Sequence, residues 1–103
     1  MNWNINQDTL NNALPFDQGF FLQETSGFKT PDYYMNRLKM LGFSGKESLL
    51  DAGCGIGQWT IAISMLNKQS TGVDIRDERL SLANALAKGM NISNIKFQHA
   101  SLE

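Results

Sequence analysis

Three glycines at alternate positions, Gly53, Gly55 and Gly57, close one short apolar run, Ser48-Leu49-Leu50-Asp51-Ala52, and precede a second that extends from Trp59 to Leu66. The first run has the length of a buried strand and the second that of a buried helix, so the sequence predicts strand, tight turn, helix. This constrains the fold strongly, because parallel strands need a crossover connection and a helix is the usual one. The pattern then repeats. Ser70-Thr71-Gly72-Val73-Asp74 predicts a second strand, and Asp77 to Lys88 a helix with Leu80, Ala83, Ala87 and Met90 at helical spacing and Gly89 at its end. Asn94-Ile95-Lys96-Phe97-Gln98 alternates apolar and polar residues, as a third strand does. Ahead of these elements, Thr30-Pro31-Asp32 supplies an N-cap, a proline for the first helical position and a first-turn acid. With Tyr34, Leu38 and Leu41 on one face, a helix is predicted over 31–41, and Gly42 lies past its end. The first thirty or so residues place Trp3, Phe16, Phe20, Phe21 and Phe28 among Asn, Gln and Gly without a clear period, and read as an irregular arm or short-helix lead-in. The expected order is a helix followed by βαβαβ.

Composition narrows the functional classes. At 103 residues the chain has room for one small domain or part of one, and its 42% apolar and 18% charged residues suit a packed core. Nine Lys and Arg against ten Asp and Glu leave no basic cluster to neutralise a row of phosphates, so no nucleic-acid partner is expected. No apolar stretch is long enough to cross a bilayer and no signal-peptide pattern opens the chain, which gives the expectation of a soluble cytoplasmic protein without a membrane partner. One cysteine, Cys54, and one histidine, His99, supply neither a disulfide framework nor a zinc ligand set, so no metal is expected.

The chemistry gathers at the glycine turn. A ligand that lies almost on the backbone at the end of the first strand leaves no room for Cβ atoms, and the free N–H groups at the start of the next helix face whatever sits above it. Asp74, 17 residues after Gly57 and at the end of the second strand, is placed to accept hydrogen bonds from both hydroxyls of a ribose. A dinucleotide-binding turn of the G-x-G-x-x-G type would need a small residue where Gln58 stands. Asp51 would repel a pyrophosphate and suit an amine. A nucleoside carrying an amino-acid moiety fits these features best.

The segment Leu49-Leu50-Asp51-Ala52-Gly53-Cys54-Gly55-Ile56-Gly57, with Thr71-Gly72-Val73-Asp74, resembles the first two motifs of class I S-adenosylmethionine-dependent methyltransferases, and the likeness extends from about Lys46 onward. It implies an α/β fold: a Rossmann-like three-layer sandwich, truncated here to a helix plus βαβαβ with a parallel sheet. It implies S-adenosylmethionine as cofactor and a binding set of Asp51, Gly53, Cys54, Gly55, Gly57, Asp74, Ile75 and Ser101. By the resemblance, Asp51 and the backbone around Gly53 and Gly55 hold the methionine amine and carboxylate, Asp74 the ribose, and Ile75 lies against the adenine. Ser101 stands where the family often has an acid that meets the adenine amine. Two alternatives stay open, a non-catalytic module for an adenosine-containing ligand and a fragment of a dinucleotide-binding oxidoreductase.

Plainer roles compete at each remaining position. Cys54 has no base near it in sequence and is read as a small turn residue rather than a nucleophile. His99 lacks an identifiable partner and is read as structural or exposed, Asp77 and Glu78 as solvated first-turn acids, and Arg79 as a surface charge. The aromatic arm serves either as ordinary packing or as a wall over the cofactor. The expected division is residues 1–29 as an arm or cap and residues 30–103 as the N-terminal half of a methyltransferase domain. Since the resemblance places a fourth strand beside the first, where the acceptor usually sits, no catalytic residue is named. The chain is read as a fragment rather than a natural short protein. Its unpaired first strand gives an expectation of self-association, and the lack of a basic surface together with the aromatic arm gives an expectation of a small-molecule methyl acceptor.

Overall fold

The computed structural model describes residues 1–100. Its central elements follow the expected grammar: β1 (Ser48–Ala52), β2 (Gln69–Asp74) and β3 (Ile95–His99) form one parallel sheet in the order β1-β2-β3. The helix Gln58–Leu66 joins β1 to β2, and Asp77–Gly89 joins β2 to β3. Three further helices precede the sheet, so in chain order the helices are α1 (Gln7–Asn11), α2 (Pro15–Thr25), α3 (Pro31–Met40), α4 (Gln58–Leu66) and α5 (Asp77–Gly89). The arm is therefore more regular than its composition suggests, with two helices in place of an irregular lead-in. In α3 the Thr30 side chain accepts a hydrogen bond from the Tyr33 N–H, as an N-cap should.

Two right-handed crossovers in the same direction across a sheet leave both connecting helices on one face. Side-chain exposure agrees. Leu49 and Asp51 of β1, Ser70 and Gly72 of β2, and Ile95 and Phe97 of β3 turn toward the helices, while Ser48, Leu50 and Ala52 alternate with them toward the open face. Leu50 is 65% exposed. Among the described residues β1 pairs only with β2, so it forms one edge of the sheet. A cleft of about 350 Å³ lined by Leu38, Leu41, Phe43, Leu49 and Trp59 runs beside it.

Two apolar clusters hold the layers. One joins the arm to the sheet side of α4 and α5: Leu10, Phe21, Ile56, Ile61, Leu82 and Leu86, with Phe97 and Ile95 against it. The other packs α3 on α4 through Tyr34, Leu38, Ala62 and Ile63, with Trp3, Tyr33 and Trp59 around it. The Tyr34 and Trp59 rings meet edge to face at 4.7 Å between centroids. Because α4 lies between the sheet and both helical groups, nearly every side it presents is buried, which is why its sequence shows an apolar run rather than a stripe. Its last carbonyls are covered by two side-chain amides: Asn67 donates to Ile63 and Asn94 to Ser64, at 2.9 and 2.7 Å. Among the described residues no helix is long and apolar enough to cross a membrane.

Candidate functional site

The turn between β1 and α4 is built on backbone that side chains resist. Gly53 and Gly55 have φ of 70° and 57°, in the left-handed region where a Cβ is strained. The space above them differs from that at Gly57. A Cβ on Gly53 would meet nothing within 4 Å, so its face is open, whereas one on Gly57 would lie 2.9 Å from the Phe97 ring and 3.0 Å from Ala83. Gly57 is thus the packing glycine and Gly53 the open one.

Both acids sit where their strands end. Asp74 is 7% exposed. Its Oδ2 accepts the Gly55 N–H at 2.9 Å and its Oδ1 the Arg76 N–H at 3.0 Å. Asp74 therefore fastens the glycine turn to the end of β2, and each oxygen keeps a second lone pair for another donor. Asp51 is half-buried on the neighbouring strand, where its Oδ2 accepts the Thr60 hydroxyl at 2.7 Å. Burial raises the Asp51 carboxyl above its usual range, the Thr60 hydrogen bond lowers it in part, and the charge of Asp74 raises it further. Thr60 reaches Asp51 because Gly72 leaves space on β2: a Cβ there would stand 2.9 Å from the Thr60 hydroxyl and 2.8 Å from Phe97.

Cys54 is buried in the turn, and burial with the two nearby carboxylates pushes its thiol up to about 12. It stays protonated, in agreement with its reading as a small turn residue. Ile75, 60% exposed, directly follows Asp74 at the rim. Its carbonyl accepts a hydrogen bond from His99 Nε2 at 2.8 Å, which gives the histidine a structural role. Of the expected set, Asp51, Gly53, Cys54, Gly55, Gly57, Asp74 and Ile75 come together at this one end of the sheet, and Ser101 lies outside the described residues.

Arg79 departs from expectation. It is not a surface charge: its Nε donates to Asp17 Oδ1 at 3.1 Å in a largely buried ion pair. Its guanidinium lies 4.8 Å from the Phe20 ring centroid and 5.4 Å from that of Phe16. The reason is tertiary, since α2 packs on the start of α5 and carries the partner acid from a segment 62 residues away. Phe20 also reaches the turn, with its ring edge 3.6 Å from where a Cβ of Gly55 would stand. Sequence reasoning missed Thr60 and Asp17 as parts of this region, while Phe20 belongs to the aromatic arm that it offered either as packing or as a wall over the cofactor. Only Thr60 left a signal, a hydroxyl early in the helix that follows the turn.

A family model described as a methyltransferase domain matches residues 49–103. An uncharacterized RNA methyltransferase of Nostoc is 35% identical over 61% of this chain and 14% of its own length. A 23S rRNA (uracil(1939)-C(5))-methyltransferase of Vibrio vulnificus is 30% identical over 87% of this chain and 20% of its own length. The chain thus spans a fifth or less of these two curated relatives. Among solved structures, the magnesium protoporphyrin IX methyltransferase of Synechocystis, with bound SAH, superposes with a TM-score of 0.54 at 24% identity, over 70% of this chain and 34% of that one. That likeness concerns the fold. The RNA methyltransferases among the relatives overturn the expectation of no nucleic-acid partner, and with it the charge argument for a small-molecule acceptor. The charge argument weighed only the residues of this chain, and a near-neutral segment does not exclude RNA when it aligns with so small a part of an RNA-modifying protein.

Proposed function

This chain belongs to the methyltransferase-domain family, and from that membership we propose that it forms the S-adenosylmethionine-binding portion of an enzyme that methylates RNA. The observation that carries the cofactor reading is a pair of carboxylates, Asp51 and Asp74, on adjacent strands beside the open backbone of Gly53. A raised Asp51 carboxyl near a second acid is stabilised by a cation, which an amino-acid ammonium group or a sulfonium provides. The same charges oppose the pyrophosphate of a nicotinamide cofactor.

The residues fit such a ligand. Asp51 holds the amine and the free N–H groups of the turn the carboxylate; Asp74 receives the ribose hydroxyls on its remaining lone pairs, and exposed Ile75 offers an apolar surface to the adenine. Cys54 and Gly57 shape the turn rather than touch the reacting atoms. When bound, the cofactor supplies a methyl group activated by positively charged sulfur. The protein's contribution is to orient it and exclude water. In this reading residues 1–29 cap the site and residues 30–103 form the N-terminal half of the methyltransferase domain. Support for RNA as acceptor is the naming of relatives at 30% identity or above.

Calorimetric titration with S-adenosylmethionine, S-adenosylhomocysteine and NAD tests the cofactor. Saturable binding of the first two and none of the third is expected, and tight NAD binding would overturn the reading. For the acceptor, radiolabel from S-adenosylmethionine should enter an RNase-sensitive fraction; label found only in small molecules would assign it elsewhere.

A further inference from the structure

Helix α2 turns one face inward, and its residues follow helical spacing: Asp17, Phe20, Phe21 and Glu24 at i, i+3, i+4 and i+7. Each has a different anchor. Phe21 enters the apolar cluster with Ile56 and Leu82. Glu24 pairs with Lys29 at 3.2 Å and accepts the Tyr34 hydroxyl. Asp17, 5% exposed, pairs with Arg79, whose guanidinium lies against Phe16 and Phe20. Phe20 reaches the glycine turn at Gly55, its ring edge 3.6 Å from where a Cβ would stand.

Phe21 and Glu24 fasten the middle and the C-terminal end of the helix. At its N-terminal end Gln18 Nε2 donates to the Asn11 and Ala13 carbonyls just ahead of the helix, and the Asp17–Arg79 pair is the polar anchor to α5. Arg79 belongs to the first turn of α5, directly after Asp74 and Ile75. The pair therefore ties α2 to the same strand end that carries the ribose-binding acid of the proposed function, and Phe20 lies against both Arg79 and the Gly55 position. Arg79 thus meets α2 at three side chains, Asp17 through the ion pair and Phe16 and Phe20 through their rings.

We propose that Asp17 and Arg79 are positioning residues: their ion pair holds α2 so that Phe20 walls the cofactor turn at Gly55, and this wall sets cofactor affinity. The inference rests on the cofactor reading above. It gives Phe20 the binding contact, and Asp17 and Arg79 act through it.

Two measurements on the 103-residue chain test this and separate it from the cofactor reading. In the ligand-free protein, Asp17→Asn is expected to speed amide hydrogen exchange across α2 and at Gly53 to Gly57 while leaving α3 as in wild type. In titration with S-adenosylhomocysteine, Asp17→Asn and Phe20→Ala are each expected to weaken binding about tenfold, and the double variant by little more than either. Arg79→Lys, which keeps the charge but loses the flat ring contact, serves if Asp17→Asn does not fold, and its loss should be intermediate. Wild-type affinity in a folded Asp17→Asn or Arg79→Lys variant, additive losses in the double variant, or faster exchange confined to α2 would each overturn the proposal. If folded wild type binds no S-adenosylhomocysteine, the cofactor reading falls. Exchange then decides the wall alone, with spread from α2 to the turn supporting it and confinement to α2 refuting it.

Discussion

The glycine turn and the N-terminal arm meet at Gly55, yet they are held by opposite kinds of interaction. In the turn, consecutive residues dictate the geometry: left-handed backbone at Gly53 and Gly55, a packed glycine at Gly57, and an acid at each adjoining strand end. The arm depends on partners distant in sequence: Asp17 with Arg79, Trp3 Nε1 with the Lys29 carbonyl, and Asn4 with the Gly89 carbonyl 85 residues away. Local backbone demands leave a legible signature, whereas a helix whose buried face includes acids resembles a surface helix until its partner is found.

The largest effect should come from breaking the turn. Gly57→Ala places a methyl group in left-handed backbone and within 3.0 Å of Phe97 and Ala83. A loss of about 3 kcal/mol in urea unfolding is expected, and a loss under 1 kcal/mol would show that the turn relaxes more easily than its packing implies.

On the arm side, Asp17→Asn should cost about 2 kcal/mol by the same measurement, because it leaves the largely buried Arg79 charge without its counterion. A cost similar to that of Gly57→Ala would erase the contrast between the regions by making the arm as integral as the turn.

Asp51→Asn sharpens the comparison with the opposite sign. A carboxyl raised in the folded state binds its proton more tightly there than in the unfolded chain, so folding is favoured while the proton is on. This contribution is lost as pH rises from the unfolded value of 3.8 through the raised folded one, and above that the ionised group opposes folding. The asparagine variant should therefore melt about 2–5 °C higher at neutral pH, with less dependence on pH in the acid range, and bind S-adenosylmethionine more weakly. Unchanged melting would show that the Thr60 hydrogen bond offsets the burial. The smallest response is expected at Cys54. With its thiol pushed up to about 12, iodoacetamide at pH 8 should modify the folded chain about a hundredfold or more slower than the unfolded one.

Much of the site was open to reading because its chemistry is consecutive. Asp51, Gly53, Gly55 and Gly57 lie in one heptapeptide, and Asp74 ends the following strand, so the strand-turn-helix pattern located them without knowledge of packing. Helix α3 was equally plain, since Thr30 and Pro31 mark its start and Gly42 follows its end. Helices α1 and α2 were not, because the inward face of α2 alternates Asp17 and Glu24 with Phe20 and Phe21, so no apolar stripe forms. The exclusion of nucleic acid failed for a different reason, because net charge describes the segment in hand and not the larger proteins with which it aligns.

From sequence, the parallel βαβαβ core, the glycine turn and the two acids that flank it could be read, because backbone conformation and helix or strand period are set by neighbouring residues. Tertiary structure alone decided that Arg79 is buried, that Thr60 reaches Asp51 through the space at Gly72, and that the Phe20 ring comes to lie beside Gly55. Those contacts join segments far apart in the chain. Their energies come from desolvation and close packing, which arise only when the segments meet.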